Sequence, residues 1–214
     1  MDYYEYTYVM QESLEGILSV ISAAGWILGL VGYVLSSLGL YTIANRRCIS
    51  KSWLAWVPVV RLWILGSISD QYRYVTKGQV KSKRKLLIAL EAIGLVLSLV
   101  FLVVWGKGLF RLLGMLMYGQ ESQALQTLLA LLPSVLGFAL LSLVLKLVKT
   151  VVYYMAMYDL FTSVNPPYSV IFLVLSILFN AAEPFFVFFN RNKDAGMPPR
   201  CDIPVEPISI SPEL

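Results

Sequence analysis

Glu91, Asn180 and Glu183 stand inside long apolar runs of this chain, and chemistry would be sought there first. An ionisable side chain inside a bilayer is costly and marks a proton or ion pathway, or a partner, by default. Asn180 and Glu183 are three residues apart, so one helix would carry both on one face. Pro184 would leave a backbone carbonyl free beside them. A carboxyl in that setting could carry a proton or contact a cation. It could equally be a packing device, hydrogen-bonded to Asn180 or paired with a lysine. Glu91 lies about a turn and a half above Lys85 and could reach back to it or pair across to a basic residue of a neighbouring helix. Lys146, Lys149 and Asp159 lie at the margins of apolar runs.

Other chemistries lack their parts. The chain has no histidine, which removes Ser-His and Cys-His nucleophilic pairs and imidazole metal ligands together. Its two cysteines, Cys48 and Cys201, are too few and too far apart for a metal motif. No Walker-type phosphate loop, no His-Glu metal helix and no Gly-x-Ser-x-Gly occurs. The expectation is therefore a protein that is not an enzyme and needs no cofactor. A net charge of +4 could suggest nucleic acid. The basic residues instead sit at the ends of apolar runs, where positive-inside bias puts them, so no nucleic-acid partner is expected.

The elements that would position these residues are helices in a bilayer. Hydrophobic residues make up 58% of the chain and charged ones 14%, against about 25% charged in a soluble domain. Several runs of about 20 residues are almost free of charge, long enough to cross a hydrocarbon core of about 30 Å. The reading is an all-α polytopic membrane protein, with one domain over 1–190 and four transmembrane helices at about 17–44, 86–105, 124–145 and 168–189. Residues 106–123 would form an outer loop, and helical character would persist beyond Lys149 until Asn165, Pro166 and Pro167 stop it. The Pro-rich tail, 191–214, is expected to be disordered.

Ten of the seventeen basic residues fall between Arg46 and Lys85, which marks that stretch as the cytoplasmic loop. The acidic N-terminus would then lie outside. Within the loop, residues 53–69 are apolar but short, and Pro58 and Arg61 argue against a crossing. The segment is read as interfacial or re-entrant, anchored by Trp53, Trp56 and Trp63, with Arg61 reaching outward. If it did cross, the spans would number five. Four spans leave the C-terminus outside, awkwardly beside Arg191 and Lys193; five bring it inside. Lys81, Lys83, Arg84 and Lys85 form the cluster suited to an anionic leaflet or an acidic partner.

In the first span, Ser22, Gly25, Gly29, Gly32, Ser36 and Gly39 repeat at intervals of three and four, one seam of small residues along a helix. Such seams let a second helix approach closely. That helix could belong to this chain, to a partner membrane protein or to a second copy.

The loop run WLAWVPV…LWILGSISDQYRYV…KSKRK and the C-terminal LFNAAEPFFVFFNRNKDAGMPPR resemble a family of multi-pass membrane proteins of Gram-positive, gut-type bacteria. The resemblance implies a bacterial plasma-membrane location. It carries no catalytic residues with it.

Overall fold

A computed structural model describes residues 3–79, 82–119 and 121–198. Every regular element among them is helical. Helix α1 is Tyr3–Arg46, α2 Arg61–Lys77, α3 Lys83–Met117, α4 Glu121–Val164, α5 Ser169–Leu178 and α6 Glu183–Phe189. Short 3-10 turns occupy Ser52–Trp56, Pro166–Tyr168 and Asn180–Ala182.

Three helices, α1, α3 and α4, are long and apolar enough to cross a membrane. At 1.5 Å per residue, α1 and α4 are each about 66 Å long, well beyond a hydrocarbon core. Residues 106–117, expected as an outer loop, continue α3, because GKGLFRLLGMLM has the composition of a helix and no proline to stop it. Gly119, at φ +70°, closes α3 in a left-handed turn that glycine adopts without steric cost. The helix expected over 124–145 does run on past Lys149, as one piece, to Val164.

The expected fourth span, 168–189, is not a single helix. It breaks at Phe179, where an extended backbone ends α5, and Pro184 sits in the first turn of α6, the helix position that tolerates it. The chain then returns to where it began: Asn165 Nδ2 lies 3.4 Å from Asn190 Oδ1. Ala195 and Gly196 donate backbone hydrogen bonds to the Val164 and Ser163 carbonyls, at 3.2 and 3.1 Å. These satisfy terminal carbonyls of α4 that no helical partner reaches. Residues 191–198 are therefore docked, contrary to the expected disorder; residues 199–214 lie outside the described part.

The segment 53–69 behaves in a related way. Pro58 falls in the turn between the 3-10 helix and α2, and α2 continues eight residues past the expected end, to Lys77. Its start reaches α1 near Tyr33, while Gln71 Nε2 donates to the Arg47 carbonyl at 3.2 Å. The segment thus climbs alongside α1 and descends again.

These two turned-back segments pack with the inner ends of α1 and α4 and the start of α3 into one core. It holds Leu40, Ile43, Ile64, Leu65, Ile68, Leu87, Met157, Leu160, Phe161 and Val187. Outside this head the helices are less covered: residues 11–31 of α1 are exposed throughout, and α3 packs along α4.

Two glycines permit the closest approaches. A methyl group on Gly39 would lie 2.8 Å from Val187 Cγ1, and one on Gly66 would collide with the backbone of Arg84. Gly39→Ala and Gly66→Ala should each cost about 1–3 kcal/mol, as overpacked sites do. Gly25→Ala, with open space around it, should be neutral or slightly stabilising. Thermal unfolding in detergent, followed by circular dichroism, reads the difference.

Candidate functional site

The tips of the two turned-back segments meet between α1 and α4, and the meeting point is polar. Glu183 opens α6 and is 5% exposed; Tyr153 of α4 donates its hydroxyl hydrogen to the Glu183 carboxylate. Arg61, first residue of α2, sits beside Tyr153 and attracts Glu183. Its guanidinium also lies 5.7 Å from the ring centre of Tyr33, within cation–π range. The Tyr33 hydroxyl in turn donates to the Trp56 carbonyl. Tyr153 is eleven residues from the end of α4, about 16 Å along its axis, so this cluster lies well above the charged base of the head.

Ser36, Leu40, Leu62, Leu65, Met157 and Val187 close round the cluster and leave a cavity of about 10 Å³. That is close to the lower limit for one water. The arrangement can hold a hydrogen-bonded carboxylate next to a cation and fix four helices to one another. It offers no room for a solute.

A second polar centre lies at the base. The Asp159 carboxylate, 2% exposed, receives Arg73 Nε and Lys83 Nζ at 2.7 Å each, and the Ser69 hydroxyl. It thereby ties α4 to α2 and α3. Next to it, the Asp70 carboxylate accepts the Lys83 and Arg84 backbone N–H groups at 2.8 and 3.2 Å, capping α3 from a distance in sequence. At the third corner, Asp194 bridges Arg46 and Arg47, at 3.0 and 2.9 Å, and Arg47 reaches Ser163 at 3.0 Å. Among the described residues no group of three His, Cys, Asp or Glu side chains could hold a metal ion.

Several expected site residues fall elsewhere than the sequence suggests. Asn180 is exposed on the 3-10 turn that follows the break at Phe179, whereas Glu183 is buried at the start of α6, so the two are not brought together in one site. Tyr153 and Arg61 are the partners of Glu183 instead. Lys83, expected to face the leaflet, is buried on Asp159. Arg84 and Lys85 are exposed, Arg84 lying 5.2 Å over the Trp63 ring; Lys81 is outside the described residues. Trp53 and Trp56 are exposed, at 59% and 40%. Glu91 pairs with Lys149 across α3 and α4, the second of its two expected outcomes.

The small-residue seam is divided. Gly32, Ser36 and Gly39 face α6, with Pro184 Cγ 3.4 Å from a methyl built on Gly32. Gly25 and Gly29 have nothing within 4 Å. With Ser22, Trp26, Leu30 and Tyr33 they line an open groove of about 820 Å³.

The network round Asp159, Arg73 and Ser69 is what the sequence reading missed. A signal existed: Asp159 follows VVYYMAMY, an apolar helical stretch, and a carboxylate there needs a cation from another element. No family model matches this chain, and neither does any curated protein or solved structure.

The two centres should differ in cost when broken. Asp159→Ala strands the buried Lys83 ammonium and the part-buried Arg73 guanidinium and should lower stability by about 3–5 kcal/mol. Tyr153→Phe leaves Glu183 without its hydrogen bond and should cost about 1–3 kcal/mol. Arg46→Ala removes a part-exposed pair and should cost about 1 kcal/mol or less. Melting of the purified variants in one detergent orders them; an Asp159→Ala protein as stable as Arg46→Ala would contradict the assignment of the hub.

Proposed function

We propose that this chain is a non-enzymatic integral membrane protein that receives the transmembrane helix of a partner protein along the outer half of α1. The observation that carries this reading is the division of the seam. Its inner half already holds α6 by backbone-close contact, and its outer half continues on the same face as an open groove. In lipid, where apolar faces gain little by leaving the solvent, close packing over small residues is a principal source of helix association. The groove ends at Tyr33, so a docked helix would rest on Trp56 and Arg61, the roof of the head.

The topology that goes with this reading has three spans, α1, α3 and α4, and two re-entrant segments dipping in from the cytoplasmic side. Arg46, Arg47, Lys51, Arg73, Lys77, Arg84, Lys85, Arg191 and Lys193 then share one side, while the opposite turn of α3 and α4 is flanked by Lys107 and Arg111. That asymmetry is what positive-inside bias favours. The N-terminus is outside and the tail inside, which removes the difficulty of Arg191 and Lys193. The resemblance of the loop and tail motifs supports a bacterial plasma membrane as the location.

A membrane-impermeant thiol reagent applied to intact cells should label neither Cys48 nor Cys201, and both should react after permeabilisation. Labelling of Cys201 alone in intact cells would sink the three-span topology.

For docking, a photo-crosslinking residue at Gly29 should yield a discrete adduct with another membrane protein, and one at Leu102 on α3 should not. Gly25→Leu with Gly29→Leu should reduce co-purification of that partner about tenfold or more. An adduct with the chain itself would replace the partner by a second copy. A solute flux in reconstituted vesicles that Glu183→Gln removes would overturn the reading altogether.

A further inference from the structure

The groove between α3 and α4 carries charge that the docking surface does not use. Glu91, Gly94, Ser98, Ser142, Lys146 and Lys149 line it, and its volume is about 310 Å³. The groove is open at Gly94, where a built methyl would meet nothing within 4 Å. Leu97 and Phe138 form apolar wall on the outer side.

The charges in this groove do not balance. The Glu91 carboxylate is engaged by Lys149. Lys146 is exposed, one turn before Lys149 on α4, and no carboxylate pairs with it among the described residues. Both serine hydroxyls donate to their own helices, Ser98 to the Gly94 carbonyl at 2.8 Å and Ser142 to the Ala139 carbonyl at 2.9 Å. The spare hydrogen-bond donors of the groove are therefore ammonium groups. One positive charge is left over on a surface that faces the bilayer, where leaving it unpaired is costly.

We infer that this groove binds the phosphate of an anionic phospholipid of the cytoplasmic leaflet, with Lys146 as its main contact and Lys149 as its second. Glu91, level with Lys149, lies six residues beyond Lys85, about 9 Å along α3, and Lys146 lies one turn, about 5 Å, farther out; lysine stems snorkel back toward headgroups. The acyl chains would then run outward over Leu97 and Phe138. A free phosphate has no apolar part to use that wall. An acidic side chain of a partner helix would match the charge, but the lipid is favoured because the unpaired ammonium is exposed beside an apolar wall that acyl chains would cover.

The test uses the full chain in a neutral detergent, with phosphatidylglycerol, phosphatidylcholine or inorganic phosphate added, and native mass spectrometry to count bound lipid. The wild-type protein should retain one phosphatidylglycerol in preference to phosphatidylcholine, and equimolar inorganic phosphate should not displace it. Lys146→Gln touches no packed partner and leaves the Glu91–Lys149 pair intact. It should weaken phosphatidylglycerol retention roughly fivefold, the scale set by one cation near an anionic headgroup. Lys146→Arg should restore it. Circular dichroism confirms that each variant is folded. Equal retention by wild type and Lys146→Gln, equal binding of phosphatidylcholine, or displacement by phosphate would each overturn the inference. So would a Lys146 that crosslinks to a partner protein while lipid retention is unchanged.

Discussion

The carboxylate of Asp159 is the point on which the head of this molecule depends. It is nearly inaccessible to solvent, and it collects Lys83, Arg73 and Ser69 from two other helices. Each of those donors fixes something further. Lys83 is the first residue of α3, so holding its side chain on Asp159 and its backbone N–H on Asp70 determines where α3 starts. Arg73 and Ser69 are a turn apart on α2, so the same contact sets how α2 lies across α4. Two cations on one buried carboxylate also explain why the ensemble is strict about geometry. Desolvating three charges is repaid only when the hydrogen bonds are well formed, and any shift of one helix would lose them.

From that base the remaining contacts follow as a second and third tier. The descending α2 brings Gly66 against the backbone of α3, which only a residue without a side chain allows. Its other end holds Arg61 up beside Tyr153 and Glu183, and α6 is drawn onto the Gly32–Gly39 face of α1. The tail closes the base by placing Asp194 on Arg46 and Arg47 and by capping the end of α4. The carboxylates of the base, Asp70, Asp159 and Asp194, all work within the fold. What faces outward from the head is therefore cationic, including Lys51, Lys77, Arg84, Lys85 and Lys193.

Much of the architecture was legible in the sequence, and the reason is hydropathy at a 20-residue scale. Three of the apolar runs form helices of membrane-crossing length, the stop at Asn165–Pro167 holds, and the small-residue spacing does mark a packing face. The fourth run failed as a single helix because hydropathy counts apolar residues without asking whether the backbone stays helical through them. Phe179 and Pro184 break the helix, and apolarity survives because both short halves are apolar. The site was legible only in part. Glu183 announced itself by type and surroundings, but its partners Tyr153 and Arg61 are 30 and 122 residues away, and no local spacing connects them. Lys83 was misjudged for the opposite reason. Within KSKRK all cations look alike, and the fold separates them, burying one and exposing its two neighbours.

The contrast between the two ends of α1 carries the functional argument. Over its inner third, small residues are matched by a partner helix, and the fit is tight enough that a methyl on Gly39 is excluded. Over its outer half, the same spacing of small residues continues with nothing opposite among the described residues. A helix that merely faced lipid would have no need of that spacing, since bulky aliphatic side chains pack against acyl chains equally well and favour the helix more than glycine does. Ser22, Gly25 and Gly29 each give up helix propensity at an exposed position where α1 has no neighbour among the described residues. Their pattern makes physical sense if a second backbone lies against them, and the roof of the head, with Trp56 and Arg61 beside Tyr33, is where such a helix would end.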